Sequence, residues 1–162
     1  MPLYISFFLF LLFPGGALRH ENQARMFNRA AFYTIMSSGK LSEVNNELDM
    51  LKTSEIKEKQ GYEGALLIRK AGLVKIPAEK LHFFKLGYIK LEGAIADDKD
   101  NTEYHFLRLT IQEHAPHIVK YYHQIYIDKD YVIKGYKNLP LEVQDAVKDY
   151  CKNSKVLNLQ DF

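Results

Sequence analysis

The chain has 162 residues and a net charge of +2, with Lys and Glu interspersed. There is no clustered basic face of the kind that neutralises several phosphates at once, so composition argues against nucleic acid as a partner. Hydrophobic content of 47% and charge of 26% are those of an ordinary globular domain, and the single cysteine, Cys151, excludes an intramolecular disulfide.

The N-terminal run Leu3-Tyr4-Ile5-Ser6-Phe7-Phe8-Leu9-Phe10-Leu11-Leu12-Phe13 is uncharged and 11 residues long. A bilayer core needs roughly 20 apolar residues in helix, so the run is too short to span and suits the apolar core of a secretory signal. Pro14-Gly15-Gly16-Ala17 follows, and Gly15 and Ala17 supply the small residues that a signal peptidase reads. The expectation is a signal peptide over 1–17, cleaved after Ala17, and one all-helical domain over 18–162 without a transmembrane span. No Lys or Arg precedes the apolar run, which departs from the usual basic start of such signals. No Asn-x-Ser/Thr acceptor occurs, which fits a bacterial periplasm or outer surface. An exported domain with one cysteine must hold itself by its core rather than by disulfides.

Proline is scarce beyond residue 20, and 21–155 read as successive helices. The first is expected over 21–37, stopped by Gly39. The second spans 41–52, where Leu41, Val44, Leu48 and Leu51 share one helical face. Ser54 is the expected N-cap of the third, with Glu55 and Glu58 near its positive end. That helix carries Ile56, Tyr62, Ala65, Leu66 and Arg69, and ends at Gly72. Pro77 opens the fourth, whose stripe Leu81, Phe84, Tyr88, Leu91 and Ile95 is the clearest in the chain. Gly87 and Gly93 lie inside it, and such interior glycines point to a close-packed neighbour.

Asp100 with Glu103 has the spacing of a capping box for the fifth helix, which runs to about His114 with Tyr104, Phe106, Leu107 and Ile111. Pro116 interrupts the chain. Over 117–137 the pattern predicts a helix to Tyr126, a turn at Asp128-Lys129-Asp130 and a short helix. The alternation Tyr126-Ile127 and Tyr131-Val132-Ile133 also fits a strand. Pro140 opens the last helix, with Val143, Ala146, Val147, Tyr150 and Cys151 on its apolar face, so Cys151 reads as a buried small hydrophobe. The tail after Asn153 is expected to be loosely docked.

Segments 31–39 and 64–72 align at an offset of 33 residues, each ending a helix at Gly. Helical hairpins of roughly 34 residues are the unit of tetratricopeptide (TPR) arrays. Over 22–116 the chain resembles a TPR-like stack of αα-hairpins, although it has no Trp and does not keep the family's Leu-Gly and Tyr positions in register. Around Glu103-Tyr104-His105-Phe106-Leu107-Arg108 and Ile111-Gln112-Glu113-His114-Ala115-Pro116 it is also similar to uncharacterised exported bacterial proteins, a likeness that implies no activity. The fold class is therefore all-α: antiparallel helical hairpins, as a TPR-like right-handed stack or as a compact helical bundle.

Catalytic motifs are sparse. There is no Gly-x-Ser-x-Gly elbow and no Gly-rich phosphate loop. The acidic loop 97–103 lacks the central Gly and the final Glu of a calcium loop. His105, His114, His117 and His123 fall within 19 residues and suit zinc by type, but no His-Glu-x-x-His motif is present and Pro116 breaks the spacing. No catalytic residue, metal or cofactor is assigned. The aromatic-rich 104–136 region points to binding instead, because Tyr buries a large ring while its hydroxyl stays wet. Tyr104, Arg108, Tyr121, Tyr122 and Tyr126 are the candidate binding residues for a protein or peptide partner in the cell envelope. The alternative is a small metal-binding protein or hydrolase using His105, His114 and His117.

Overall fold

A computed structural model describes residues 26–162. The expected signal segment and its cleavage site lie outside the described residues. Those residues form seven α-helices and three short 3-10 turns, with no strand among them.

The first helix, α1 (Arg29–Ser38), begins later than expected: residues 26–28 are not helical, and the Asn28 side chain caps the helix by accepting from the Ala31 N–H at 2.9 Å. Gly39 stops it in the left-handed region, φ 70°. The second helix, α2 (Leu41–Lys52), has the expected bounds. Ser54 does not cap α3 (Lys59–Leu73). The chain makes an intervening turn, in which Ser54 N–H donates to the Leu51 carbonyl and Lys59 N–H to that of Ile56. Pro77 opens α4 (Pro77–Asp97) as expected.

The fifth helix, α5 (Thr102–His114), is capped by Asn101, whose side chain accepts from the Tyr104 N–H at 3.2 Å. The expected Asp100–Glu103 capping box does not form, because Glu103 is turned into the core. Its Oε1 accepts from Tyr33 (2.9 Å) and Tyr62 (2.7 Å), and Arg29 Nε lies 3.4 Å from Oε2. Burial pushes the Glu103 carboxyl above its ordinary range, against the opposing pull of Tyr62, Arg29 and Tyr33.

After α5 the expected helix and turn are exchanged. Pro116 leads into a 3-10 turn, His117–Val119, and Lys120 adopts the left-handed region at φ 51°. The continuous helix α6 (Ile125–Gly135) then runs through 128–130, the expected turn. Asp128 is fully buried there, so an acidic triplet that resembles a solvated turn carries one inward-facing charge. A 3-10 turn, Tyr136–Asn138, leads to α7 (Leu141–Cys151).

Helix α5 is the centre of the molecule. Tyr104, Leu107 and Ile111 join a core with α1 to α4, through Phe32, Val44, Leu51, Tyr62, Leu66 and Leu91. Phe106 and Leu109 join a second core with Val132, Val143, Val147, Cys151 and Leu157. Helix α1 packs on α7 as well as on α2, and Tyr33 reaches Glu103 seventy residues away. These contacts are those of a compact bundle. In a one-dimensional hairpin stack each unit touches only its neighbours.

Helices α3 and α4 form the tightest pair. Gly64 and Gly87 oppose each other at their crossing: a Cβ on Gly64 would lie 2.6 Å from Leu91 N, and one on Gly87 would lie 2.6 Å from Gly64 O. The α4 stripe is only half used. Leu91 and Ile95 are buried, whereas Leu81 and Tyr88 remain 53% and 43% exposed. The tail is docked rather than frayed. Glu113 accepts from the Lys155 N–H (2.5 Å), Ser154 Oγ (2.7 Å) and Tyr150 Oη (2.7 Å), and Leu157 is fully buried.

Two expectations follow from this packing. Gly64→Ala forces apart two helix backbones and should lower unfolding free energy by about 2 kcal/mol. Gly72→Ala, with open space at its Cβ, should be neutral or gain up to about 1 kcal/mol in helix propensity; equal losses in urea titrations would contradict the close crossing. The hydrogen bonds to Glu113 outweigh its burial and hold its carboxyl below the ordinary range. Its stabilisation is therefore present above the unfolded-state carboxylate pKa and is lost as pH falls through the depressed native value. The stability deficit of Glu113→Gln should shrink on acidification, and a deficit that stays constant from neutral to acid pH would count against the tail clamp.

Candidate functional site

Helix α5 places four polar residues, Glu103, His105, Arg108 and Gln112, in buried positions. An isolated charge there would be prohibitive, so Glu103 and Arg108 must find partners. Arg108 finds two carboxylates. Its Nε and Nη2 bind Asp128 Oδ2 and Oδ1 at 2.8 and 2.6 Å, the bidentate geometry that the planar guanidinium favours. Its Nη1 donates to Glu92 Oε2 on α4 at 2.8 Å. Burial opposes the Arg108 charge, but Asp128 and Glu92 outweigh it and hold the group above its ordinary range.

His105 completes the cluster. Its Nδ1 lies 2.7 Å from Asp128 Oδ1 and its Nε2 lies 2.7 Å from the Lys99 carbonyl. Tyr131 covers the ring in a parallel stack, centroids 3.8 Å apart. Both imidazole nitrogens are thus occupied by protein groups. His114 Nδ1 lies 3.0 Å from the Thr110 carbonyl. Among the described residues, no three His, Cys, Asp or Glu side chains come together as a metal set, so His105, His114 and His117 do not converge.

The other oxygen of Glu92, Oε1, accepts from Tyr121 Oη at 2.5 Å. Tyr121 belongs to the segment between the 3-10 turn and α6, and this bond draws that segment against α4. Burial, followed by the bond to Glu92 and the charge of that carboxylate, pushes the Tyr121 hydroxyl well above its ordinary range. Tyr121 therefore stays a proton donor, fixed in position.

An open groove of about 420 Å³ lies between α4 and residues 119–124. Phe84, Tyr88 and Tyr121 form its aromatic wall. Tyr121 meets Phe84 edge-on (centroids 5.9 Å, 87°) and Tyr88 similarly (5.3 Å, 69°). Ile89 extends the wall, Glu92 lies in the lining, and Lys85, Lys120 and His123 contribute cationic or titratable groups. The volume falls in the range of ligand-sized clefts.

The five candidate binding residues part company here. Tyr121 reaches the groove lining from the core, being 5% exposed, and Arg108 supports it from beneath through Glu92. Tyr104 belongs to the core at 4% exposure, its ring so close to α3 that a Cβ on Gly61 would lie 2.5 Å away. Burial pushes its hydroxyl up to about 12. Tyr122 and Tyr126 are exposed, at 40% and 74%, and stand outside the groove lining. The α4 wall, Phe84, Lys85, Tyr88 and Ile89, went unassigned because Phe84 and Tyr88 fit a core stripe by spacing. The signal was present in Lys85, which shares that face.

The fold and site define an all-α bundle with one face cut by an aromatic groove. No family model matches the chain, and it has no significant match among curated proteins or among solved structures. Its site is read from its own residues.

Removing Arg108 leaves Asp128 buried with its main partner gone. Arg108→Ala should cost about 3–5 kcal/mol in unfolding free energy. Arg108→Ala with Asp128→Ala should cost clearly less than the two single losses added, as expected for a directly coupled pair. Strict additivity in a double-mutant cycle would show that the pair is not the organising contact.

Proposed function

We propose that the chain is an exported helical interaction module whose groove between α4 and residues 119–124 receives a protein or peptide partner in the cell envelope. The observation that carries the reading is the groove itself, an open, preformed cleft walled by Phe84, Tyr88 and Tyr121. Aromatic side chains in a concave surface with a polar rim are the composition of recognition sites. Exposed Leu81, Ile89 and Tyr122 add apolar area on the same two segments, and exposed apolar area beside a cleft is a mark of an interaction site. Export is supported by the apolar run 3–13 and the small residues Gly15 and Ala17 that follow it.

Tyr121, with Arg108 behind it, is assigned to partner binding. Tyr122 and Tyr126 are assigned to the margin, and Tyr104 to the core on which the groove stands. No helix of the described residues is long and apolar enough to cross a membrane.

A photo-cross-linking amino acid at Ile89 in producing cells tests the proposal, with Leu141, exposed but outside the groove lining, as the reference position. The expected result is a discrete adduct from Ile89 and none from Leu141, on a mature chain whose intact mass begins at Leu18. Equal labelling at both positions, or none at either, would remove the groove as the binding site; a mass beginning at Met1 would remove export.

A further inference from the structure

The identity of the partner's chemistry can be taken further, on the reading that the groove is a binding site. Both of its walls come from acid-free stretches. Residues 80–91 contain Lys80, Lys85 and Lys90 with no Asp or Glu, and residues 114–127 contain Lys120 with His114, His117 and His123 and again no Asp or Glu. Several surface lysines elsewhere, Lys40, Lys52, Lys148 and Lys152, sit in ion pairs with an acidic side chain three residues away, and Lys90 of the α4 stretch is paired with Glu63. Lys85 and Lys120, both exposed and both in the groove lining, form no ion pair with any described residue. The one carboxylate in the lining, Glu92, is engaged at both oxygens, by Arg108 and by Tyr121.

We infer that the groove binds an acidic amphipathic peptide segment of a partner protein, which seats apolar side chains on Phe84, Tyr88 and Ile89 and sets carboxylates against Lys85 and Lys120. Charge complementarity of this kind selects partners and speeds encounter. The depth of the wall separates this occupant from others. Phe84 is half-buried, so its ring is reached by a protruding side chain and not by a flat bilayer, and Tyr121, 5% exposed, backs it from the core. Phe84, Tyr88 and Tyr121 pack against one another, which leaves no run of open ring faces for the successive bases of a single strand. A second copy docking groove to groove would oppose lysine to lysine.

The test uses the full mature chain and four probes: a short fluorescein-labelled peptide with Leu and Phe at helical spacing and Glu elsewhere, the same peptide with Lys in place of Glu, labelled oligothymidine, and vesicles of phosphatidylethanolamine with phosphatidylglycerol. The acidic peptide should bind most tightly by anisotropy. The double variant Lys85→Glu with Lys120→Glu should weaken it by about tenfold or more and should favour the basic peptide. Because both lysines are exposed and unpaired, circular dichroism should show the fold unchanged. Lys85→Ala with Lys120→Ala should weaken the acidic peptide without attracting the basic one. Equal binding of both peptides, failure of the reversal to change the preference, or tighter binding of oligothymidine or vesicles would overturn the inference. If neither peptide binds while the Ile89 adduct forms in cells, the groove reading stands and the acidic partner falls; if the adduct is also absent, both fall.

Discussion

The grip of Arg108 on Asp128 and Glu92 is the contact on which the rest of this structure depends. A guanidinium near the middle of the central helix is almost wholly withdrawn from water, 6% exposed, so the fold must bring carboxylates to it. It takes one from α6 and one from α4, and so fixes two helices against α5 by directional bonds rather than by apolar contact alone. Hydrophobic burial is non-directional and leaves the placement of α6 after a non-helical connection loosely specified. The paired oxygens of Asp128 remove that freedom, and His105, bonded to the same carboxylate, ties the cluster back to the Lys99 carbonyl before α5.

The groove is a consequence of this arrangement. Glu92 is shared between Arg108 and Tyr121, so the charge that satisfies the buried arginine also holds the connecting segment beside α4. On its other side α4 is locked to α3 at the Gly64–Gly87 crossing, where two backbones meet without intervening side chains. Close approach there commits one face of α4 to α3. The helix is 21 residues long, about 31 Å at the usual rise, and the bundle covers only its C-terminal part on the opposite side. The first three turns are left projecting, and their apolar residues become a wall rather than a core.

This explains which features were legible in the sequence. Helices α2 and α4 announce themselves because periodicity and Pro or Gly punctuation coincide, and the all-α class follows from the same signals. The region 117–137 was misphased for a specific reason. Asp128-Lys129-Asp130 has turn chemistry, and only the distant Arg108 makes Asp128 a core residue. Glu103 misled in the same way: its spacing suggested a local cap, while Tyr33, Tyr62 and Arg29 make it a buried acceptor. Each error assigns a charged residue to its nearest local role when a long-range partner claims it. The site shows the converse error. Phe84 and Tyr88 satisfy helical spacing for a core, but spacing does not say whether another element arrives to cover them.

On the reading that the groove receives a partner, its preorganisation bears on affinity. Ordering flexible groups at an interface costs binding free energy. Tyr121 incurs little of that cost, since its hydroxyl is already bonded to Glu92 and its ring is already packed against Phe84 and Tyr88. Lys85 and Lys120 differ, being exposed and unpaired among the described residues, so their contribution is long-range attraction that salt would screen. Lys120 even holds its place from the left-handed region, at φ 51°, a conformation that carries a steric penalty for any residue with a Cβ. On the proposed reading the site separates two tasks: an aromatic wall, built on a buried ion-pair network, would set shape, and an exposed cationic rim would set charge.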